Sequence, residues 1–259
     1  MPTAQLNGIE IYYQEQGTGY PIVLTHGLGD IADLWSGLGE ALADRYRLVS
    51  WDMRGHHRTE APEDVSEYTQ DIVVEDLRAL CDHLGIERAV HGGHSLGGYT
   101  ALRFHEKYPE RVAGLVLHAT GPGYRKPEGS QAWTDRLIKL ADWQERQFDR
   151  GDRRPAKELR VGAPALGEIG QHFVRGMANV ERGVMAHPSF TDASKIDVPT
   201  LVVVGENDKN YVASGEYFAS KLPNARRLVV EEAGHPALLE RPDVVHAAVR
   251  EFLDSLDLG

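Results

Sequence analysis

Ala89-Val90-His91-Gly92-Gly93-His94-Ser95-Leu96-Gly97-Gly98 is the stretch whose reading decides the fold. Residues 89–94 form a short run that predicts a buried strand, and residues 96–108 carry apolar positions at helical spacing. Between them stands a serine with Gly93 two positions before it and Gly97 two positions after. A serine on so tight a strand-to-helix turn needs glycine at both places, because neighbouring backbone passes too close for a Cβ. Such a turn lifts the hydroxyl out of the sheet, and the helix start leaves unpaired N–H groups beside it. An ordinary N-cap serine on a Gly-rich turn is the alternative reading of the same residues.

Working outward, further short apolar runs lie at 9–15, 20–25, 46–51, 111–118, 200–204 and 226–230, each bounded by Gly, Pro or charged residues. The Gly17-Thr18-Gly19 turn joins the first two. Runs of this length and composition are what strands buried on both faces of a parallel sheet look like. Helical segments alternate with them. In 67–84 the apolar residues Tyr68, Ile72, Val73, Leu77, Leu80 and Leu84 share one face, and 211–222 and 243–256 read the same way, with Pro109, Pro223 and Pro242 marking breaks. The alternation predicts an α/β fold, a mostly parallel open sheet flanked by helices. Residues 121–199 interrupt it. They contain no strand-like run, and their 13 basic residues against 11 acidic ones set them apart from a chain whose net charge is -11. We read 121–199 as a helical cap inserted in a core made of 1–120 and 200–259.

Composition narrows the function classes. The 259 residues are 41% hydrophobic and 26% charged, enough apolar material for a substantial core. With 28 Lys plus Arg against 39 Asp plus Glu, the surface repels phosphate backbones, which argues against nucleic-acid binding. No apolar stretch approaches the ~18 residues of a membrane helix, and residues 1–9 lack the basic start and apolar region of a secretory signal. The single Cys81 offers neither an internal disulfide nor a paired-cysteine metal site. A cytoplasmic protein without membrane or nucleic-acid partners is the expectation.

A serine hydroxyl is a weak nucleophile that needs a base, and the base needs an orienting acid. Among 12 histidines, His235 stands out by position: Ala233-Gly234-His235-Pro236 follows the run 226–230, and loops leaving the carboxyl ends of parallel strands are where open α/β sheets meet ligands. Gly205-Glu206-Asn207-Asp208 follows the run 200–204. Asp208 is the chosen acid, with Glu206 as the substitute and an Asx-type turn at Asp208 as the non-catalytic alternative. Ala119-Thr120-Gly121, after the preceding strand, offers no carboxylate. For the oxyanion, the backbone N–H groups of Leu96 and of Leu28, in His26-Gly27-Leu28-Gly29, are the candidate donors.

Together these residues resemble the α/β-hydrolase superfamily, in its capped esterase- and lactonase-like branch. The marks are His26-Gly27, Asp52-x-Arg54-Gly55, Gly93-x-Ser95-x-Gly97, Pro109-Glu110-Arg111-Val112, Gly205-x-x-Asp208 and Gly234-His235 followed by Glu240-x-Pro242. They run through nearly the whole chain in the family's order. One departure stands out: after Arg54-Gly55 the family continues with a glycine and a serine, whereas this chain reads His56-His57-Arg58-Thr59. His57 occupies a position that often needs φ > 0, so either the loop has changed shape or the ring serves the pocket. His56 and His57 have no carboxylate or cysteine at metal-ligand spacing, and His91 and His94 read as structural, so no metal site is expected.

The resemblance implies a serine hydrolase: Ser95 attacks a carbonyl, His235 acts as base and then acid, Asp208 holds its tautomer, and water clears the acyl-enzyme. No cofactor is required. Small carboxylic esters or enol-lactones are the implied substrates, and the relatively basic insertion suits an anionic acyl group. His26, Trp133 and Trp143 are the candidate substrate-binding residues, with Met177, Phe173 and His172 as further lining candidates; core packing is the alternative for each. A C–C bond hydrolase of ring-cleavage products, a cofactor-free haloperoxidase or perhydrolase, and a non-catalytic ligand-binding relative are the competing functions.

Overall fold

The computed structural model describes residues 2–150 and 171–258, with backbone alone for 171–173. The strands are β1 Thr3–Leu6, β2 Ile9–Gln16, β3 Tyr20–Thr25, β4 Tyr46–Trp51, β5 Ala89–His94, β6 Val112–His118, β7 Thr200–Gly205 and β8 Ala225–Val230. The helices are α1 Ser36–Leu42, α2 Gln70–His83, α3 Leu96–Lys107, α4 Pro127–Asp149, α5 Gln171–Asn179, α6 Val212–Lys221, α7 Ala237–Glu240 and α8 Pro242–Asp254. One eight-stranded sheet runs in the order β1-β2-β4-β3-β5-β6-β7-β8. The pairs β1–β2 and β2–β4 are antiparallel and all others parallel.

The apolar runs are continuous because successive side chains enter different cores. On β3, Ile22 and Leu24 pack with Leu38, Leu42 and Phe252 from α1 and α8, while Val23 packs with Leu77, Leu80 and Phe104 from α2 and α3. β6 divides in the same way: Leu115 and Leu117 face one cluster and Val116 the other. Removing water from both faces of the five strands β3 to β7 is the main driving force for this arrangement.

Local chemistry moves several boundaries from their expected places. The helix expected from residue 67 starts at Gln70, because Thr69 takes an extended backbone and its hydroxyl accepts the Ile72 N–H, capping the first turn. The segment just before it, Val65–Glu67, is a 3₁₀ turn. β1 was not anticipated: it is a half-exposed edge strand of four residues joined to β2 by Asn7-Gly8. Both turn residues have positive φ (48° and 86°), the backbone of a two-residue hairpin turn. The loop after β4 is pinned to α2 by a buried ion pair, in which Arg54 Nε and Nη2 each donate to Asp76 at 2.6 Å.

Between β6 and β7 lie α4, α5 and a π-helical turn, Val180–Met185, with no strand among the described residues. Trp133 Nε1 donates to the Met185 carbonyl at 3.0 Å, and Arg182 pairs with Asp142 and Glu145 at 2.7 and 2.6 Å. The Tyr99 hydroxyl, on α3, donates to the Ser189 carbonyl at 2.9 Å and ties this segment to the sheet. Part of the expected insertion, 151–170, lies outside the described residues. Among those described, no helix is long and apolar enough to cross a membrane.

Candidate active site

Ser95 closes β5 and opens α3 with φ 52° and ψ -111°, a conformation that is neither helical nor extended. Three hydrogen bonds hold it there: Ser95 N–H to the His118 carbonyl (2.9 Å), Thr120 Oγ1 to the Ser95 carbonyl (2.7 Å), and Tyr99 N–H to the same carbonyl (3.1 Å). A Cβ on Gly93 would meet Gly97 C at 2.4 Å, and one on Gly97 would meet the Thr25 carbonyl oxygen at 2.1 Å. The strained backbone costs about 1–3 kcal/mol, and its neighbours over-determine it. Although Ser95 holds the N-cap position, its side chain makes no capping hydrogen bond, which removes the N-cap explanation for this serine.

The loops after β7 and β8 are laced together. Glu206 N–H donates to the Val230 carbonyl and Asn207 N–H to the Ala233 carbonyl, at 2.9 and 2.8 Å. Gly234 N–H donates to Glu240 at 2.5 Å, which fixes the residue next to His235. His235 Nδ1 and Asp208 Oδ2 lie 2.7 Å apart, with the Asp208 side chain 2% exposed and the His235 ring 23% exposed. Glu206 points elsewhere and accepts the Glu232 N–H at 3.0 Å. Asp208 therefore gives its carboxylate to the histidine and Glu206 does not.

Around His235 the structure gathers aromatic rings that sequence reasoning did not assemble. The Tyr211 ring stacks on His235 with centroids 5.0 Å apart and planes at 21°. The His94 ring lies 4.6 Å from His235, and His118 lies 5.0 Å from His94. His94 Nε2 faces the His235 carbonyl at 3.3 Å and its Nδ1 faces Asp30 Oδ2 at 3.2 Å. His118 is fully enclosed, and burial pushes its imidazole well below the usual histidine range, so it is neutral. The Ser95 side chain neighbours the Tyr211 phenol and pulls its pKa partly back down against burial, although among the described residues no hydrogen bond joins the two hydroxyls. Among the described residues no hydrogen bond joins Ser95 Oγ to the His235 ring, a looseness common in unliganded sites.

The loop bearing Leu28 is clamped from both sides. His26 Nδ1 donates to the Gly27 carbonyl at 2.6 Å and its Nε2 accepts the Met53 N–H at 3.0 Å. His56 Nε2 accepts the Gly29 N–H at 3.2 Å and its Nδ1 donates to the Arg54 carbonyl at 3.2 Å. Burial pushes His56 down to about 3 and lowers His26 as well, so both rings serve as neutral staples. Leu28 is half-buried, and Leu96, as the first residue of α3, has an N–H with no intrahelical acceptor.

These positions correct several expectations. His26 is fully buried with both ring nitrogens committed to backbone, so it binds no substrate. Trp143 is 42% exposed on α4, and Met177 is buried core. Trp133 sits 6.0 Å from the Tyr124 ring and gives its indole N–H to the Met185 carbonyl. The side chains of His172 and Phe173 lie outside the described residues. His57 has φ 33° and an exposed side chain, so the loop keeps its left-handed shape and the ring is not given to a pocket. His94, read as merely structural, instead contacts His235 directly. Among the described residues no cluster of His, Cys, Asp and Glu suits a metal ion.

Residues 20–167 match the family described as alpha/beta hydrolase fold, and 181–258 match one described as TAP-like protein. The chain is 31% identical to a putative 2-succinyl-6-hydroxy-2,4-cyclohexadiene-1-carboxylate synthase of Bacillus subtilis, with 91% of this chain and 90% of the relative covered. It is 30% identical to a putative non-heme chloroperoxidase of Synechocystis, with 95% of each chain covered. Among solved structures, a thermophilic esterase from Thermogutta terrifontis superposes with TM-score 0.81 at 27% identity, covering 98% of each chain. The enol-lactonase from Burkholderia xenovorans LB400 gives 0.74 at 27% identity, over 98% of this chain and all of the other. With a doubly covered parallel sheet, a serine on a strained elbow after β5 and these likenesses in hand, the chain belongs to the α/β-hydrolase family.

Proposed function

We propose that this protein is a serine hydrolase that cleaves a small carboxylic ester or lactone through an acyl-enzyme. The observation that carries the reading is the 2.7 Å contact between His235 and the buried Asp208, next to a serine held in a backbone that ordinary N-caps do not adopt. Ser95 Oγ attacks the carbonyl carbon while its proton passes to His235 Nε2. Asp208 holds the proton on Nδ1 and faces the positive charge that develops on the ring. The carbonyl oxygen becomes anionic and takes hydrogen bonds from the N–H groups of Leu96 and Leu28, worth about 3 kcal/mol per donor in such sites. His235 then returns the proton to the departing oxygen, and water repeats the sequence on the acyl-enzyme. A cytoplasmic location suits this reading, and α4, α5 and the turn Val180–Met185, the described part of the insertion between β6 and β7, serve in it as a helical cap.

Likeness to an esterase and an enol-lactonase supports ester or lactone substrates. A second reading, peracid formation on the same residues, is favoured by the chloroperoxidase relative. Incubation with a fluorophosphonate followed by mass measurement tests the shared step. One adduct on Ser95, absent in Ser95→Ala together with loss of p-nitrophenyl acetate turnover, is expected. An unlabelled protein, or full turnover in the variant, refutes the proposal, and a panel of esters and lactones with and without hydrogen peroxide separates the two readings.

A further inference from the structure

Tyr211 is unused in the mechanism above, yet it meets two of its residues. It follows Asp208 by three positions and stands just before α6 as its N-cap residue, and the same turn fixes both: Tyr211 N–H and Val212 N–H each donate to the Asp208 carbonyl at 3.0 Å. Its ring lies nearly parallel to that of His235, and its hydroxyl lies beside the Ser95 side chain. Gly121 leaves room for it, since even a Cβ there would stand 3.6 Å from Tyr211 Cε1.

We infer that Tyr211 is a catalytic residue of this hydrolysis, a phenol that donates a hydrogen bond to the departing oxygen of the ester or lactone. The inference rests on the Ser95–His235–Asp208 reading. The departing oxygen is bonded to the same carbon as Ser95 Oγ and must come within reach of His235 Nε2 to be protonated. A hydroxyl beside Oγ, on a ring stacked against that imidazole, adjoins the same place. The oxyanion is directed to the backbone donors of Leu28 and Leu96, so the phenol serves a different oxygen. When the tetrahedral intermediate collapses, the carbon–oxygen bond breaks with its electron pair leaving on oxygen. The proton comes from His235 Nε2, while Tyr211 keeps its own and stabilises the charge as it appears. Burial pushes the Tyr211 phenol up, with the Ser95 hydroxyl pulling partly the other way. The group is thus a neutral donor at neutral pH.

Tyr211→Phe keeps the stacked ring and removes only the hydroxyl. The test is kcat/KM, which reports acylation, across a series of aryl and alkyl acetates of graded leaving-group basicity. With p-nitrophenyl acetate the variant should lose less than about threefold, because nitrophenolate needs little help. With basic alkoxide leaving groups the loss should grow to about 10- to 100-fold. A merely structural ring would depress all substrates alike. Equal losses across the series, or none, overturn the inference. Fluorophosphonate labelling of Ser95 in Tyr211→Phe separates the two levels of the argument: normal labelling with a flat series refutes the role of Tyr211 alone. Absence of labelling in the unaltered protein refutes the serine mechanism and this inference with it.

Discussion

Asp208→Asn removes one charge from a contact of 2.7 Å and leaves the shape of the side chain intact. The carboxylate has little competing solvent, its side chain being 2% exposed. With charge centres about 4 Å apart and an effective dielectric constant of about 20, its attraction for the imidazolium formed in the transition state is about 4 kcal/mol. That alone slows the reaction roughly 10³-fold. The amide adds a second penalty, because turning its NH2 toward the ring favours the wrong tautomer, so the expected loss in kcat is about 10³- to 10⁴-fold. KM should stay within about threefold, since no substrate contact is removed. Stability should hold, because the surrounding turn is made by backbone: Asp208 N–H to the Gly205 carbonyl at 3.1 Å and Val212 N–H to the Asp208 carbonyl at 3.0 Å. The assay is p-nitrophenyl acetate hydrolysis, with the burst of nitrophenolate counting acylated Ser95 and a thermal melt confirming the fold. Glu206→Gln is the matched control, and it should change kcat less than twofold because that carboxylate is held by the Glu232 N–H instead. Retention of more than about a tenth of the activity in Asp208→Asn, or an equal loss in Glu206→Gln, would refute the assignment of the acid.

Two further outcomes concern stability. Burial pushes His56 and His91 down to about 3 from an ordinary value of 6.5. Between those limits the unfolded chain binds protons that the folded chain refuses, so stability is intact above about pH 6.5 and falls as the pH drops toward 3. Each such ring contributes a slope of up to about 1.4 kcal/mol per pH unit. His91→Leu should flatten the decline by that amount in urea titrations from pH 7 to 5, and an unchanged slope would show that the ring is not buried neutral. His57→Gly relieves a left-handed backbone (φ 33°) carrying an exposed side chain. Unfolding should show a gain of about 0.5–1 kcal/mol with ester turnover unaltered, and a loss of activity would return His57 to the pocket.

What was legible in the chain follows from which constraints are local. A glycine demanded by close backbone approach leaves a mark at its own position. Gly93 and Gly97 therefore announced the elbow, and the position of His57 announced a positive φ even though a histidine stands there. Strands buried on both faces were legible because both layers want the same apolar residues. β1 was lost because only one of its faces is partly covered, and its surviving signal was the Asn7-Gly8 turn. The loops bearing Asp208 and His235 were legible by topology, since both leave carboxyl ends of parallel strands on neighbouring β7 and β8.

Side chains that act by packing across the sheet left no such trace. Trp143 is aromatic and sits in a helical segment, but only the rotation of α4 decides that its ring meets water, and one sequence does not fix that rotation. His26 lies in a motif that adjoins the site, which suggested substrate contact, yet its function is to hold the loops after β3 and β4 to each other. That role depends on the Met53 N–H, 27 residues away and brought near only by the parallel pairing of those strands. The same holds for His94, 141 residues from the His235 carbonyl it faces. Tyr211 is the sharpest case: it is three residues from the acid, yet its relevance comes from a ring on a different loop and a hydroxyl on a third. Chemistry set by backbone geometry is written near its own residue, whereas chemistry set by the meeting of loops is found only after the sheet has brought them together.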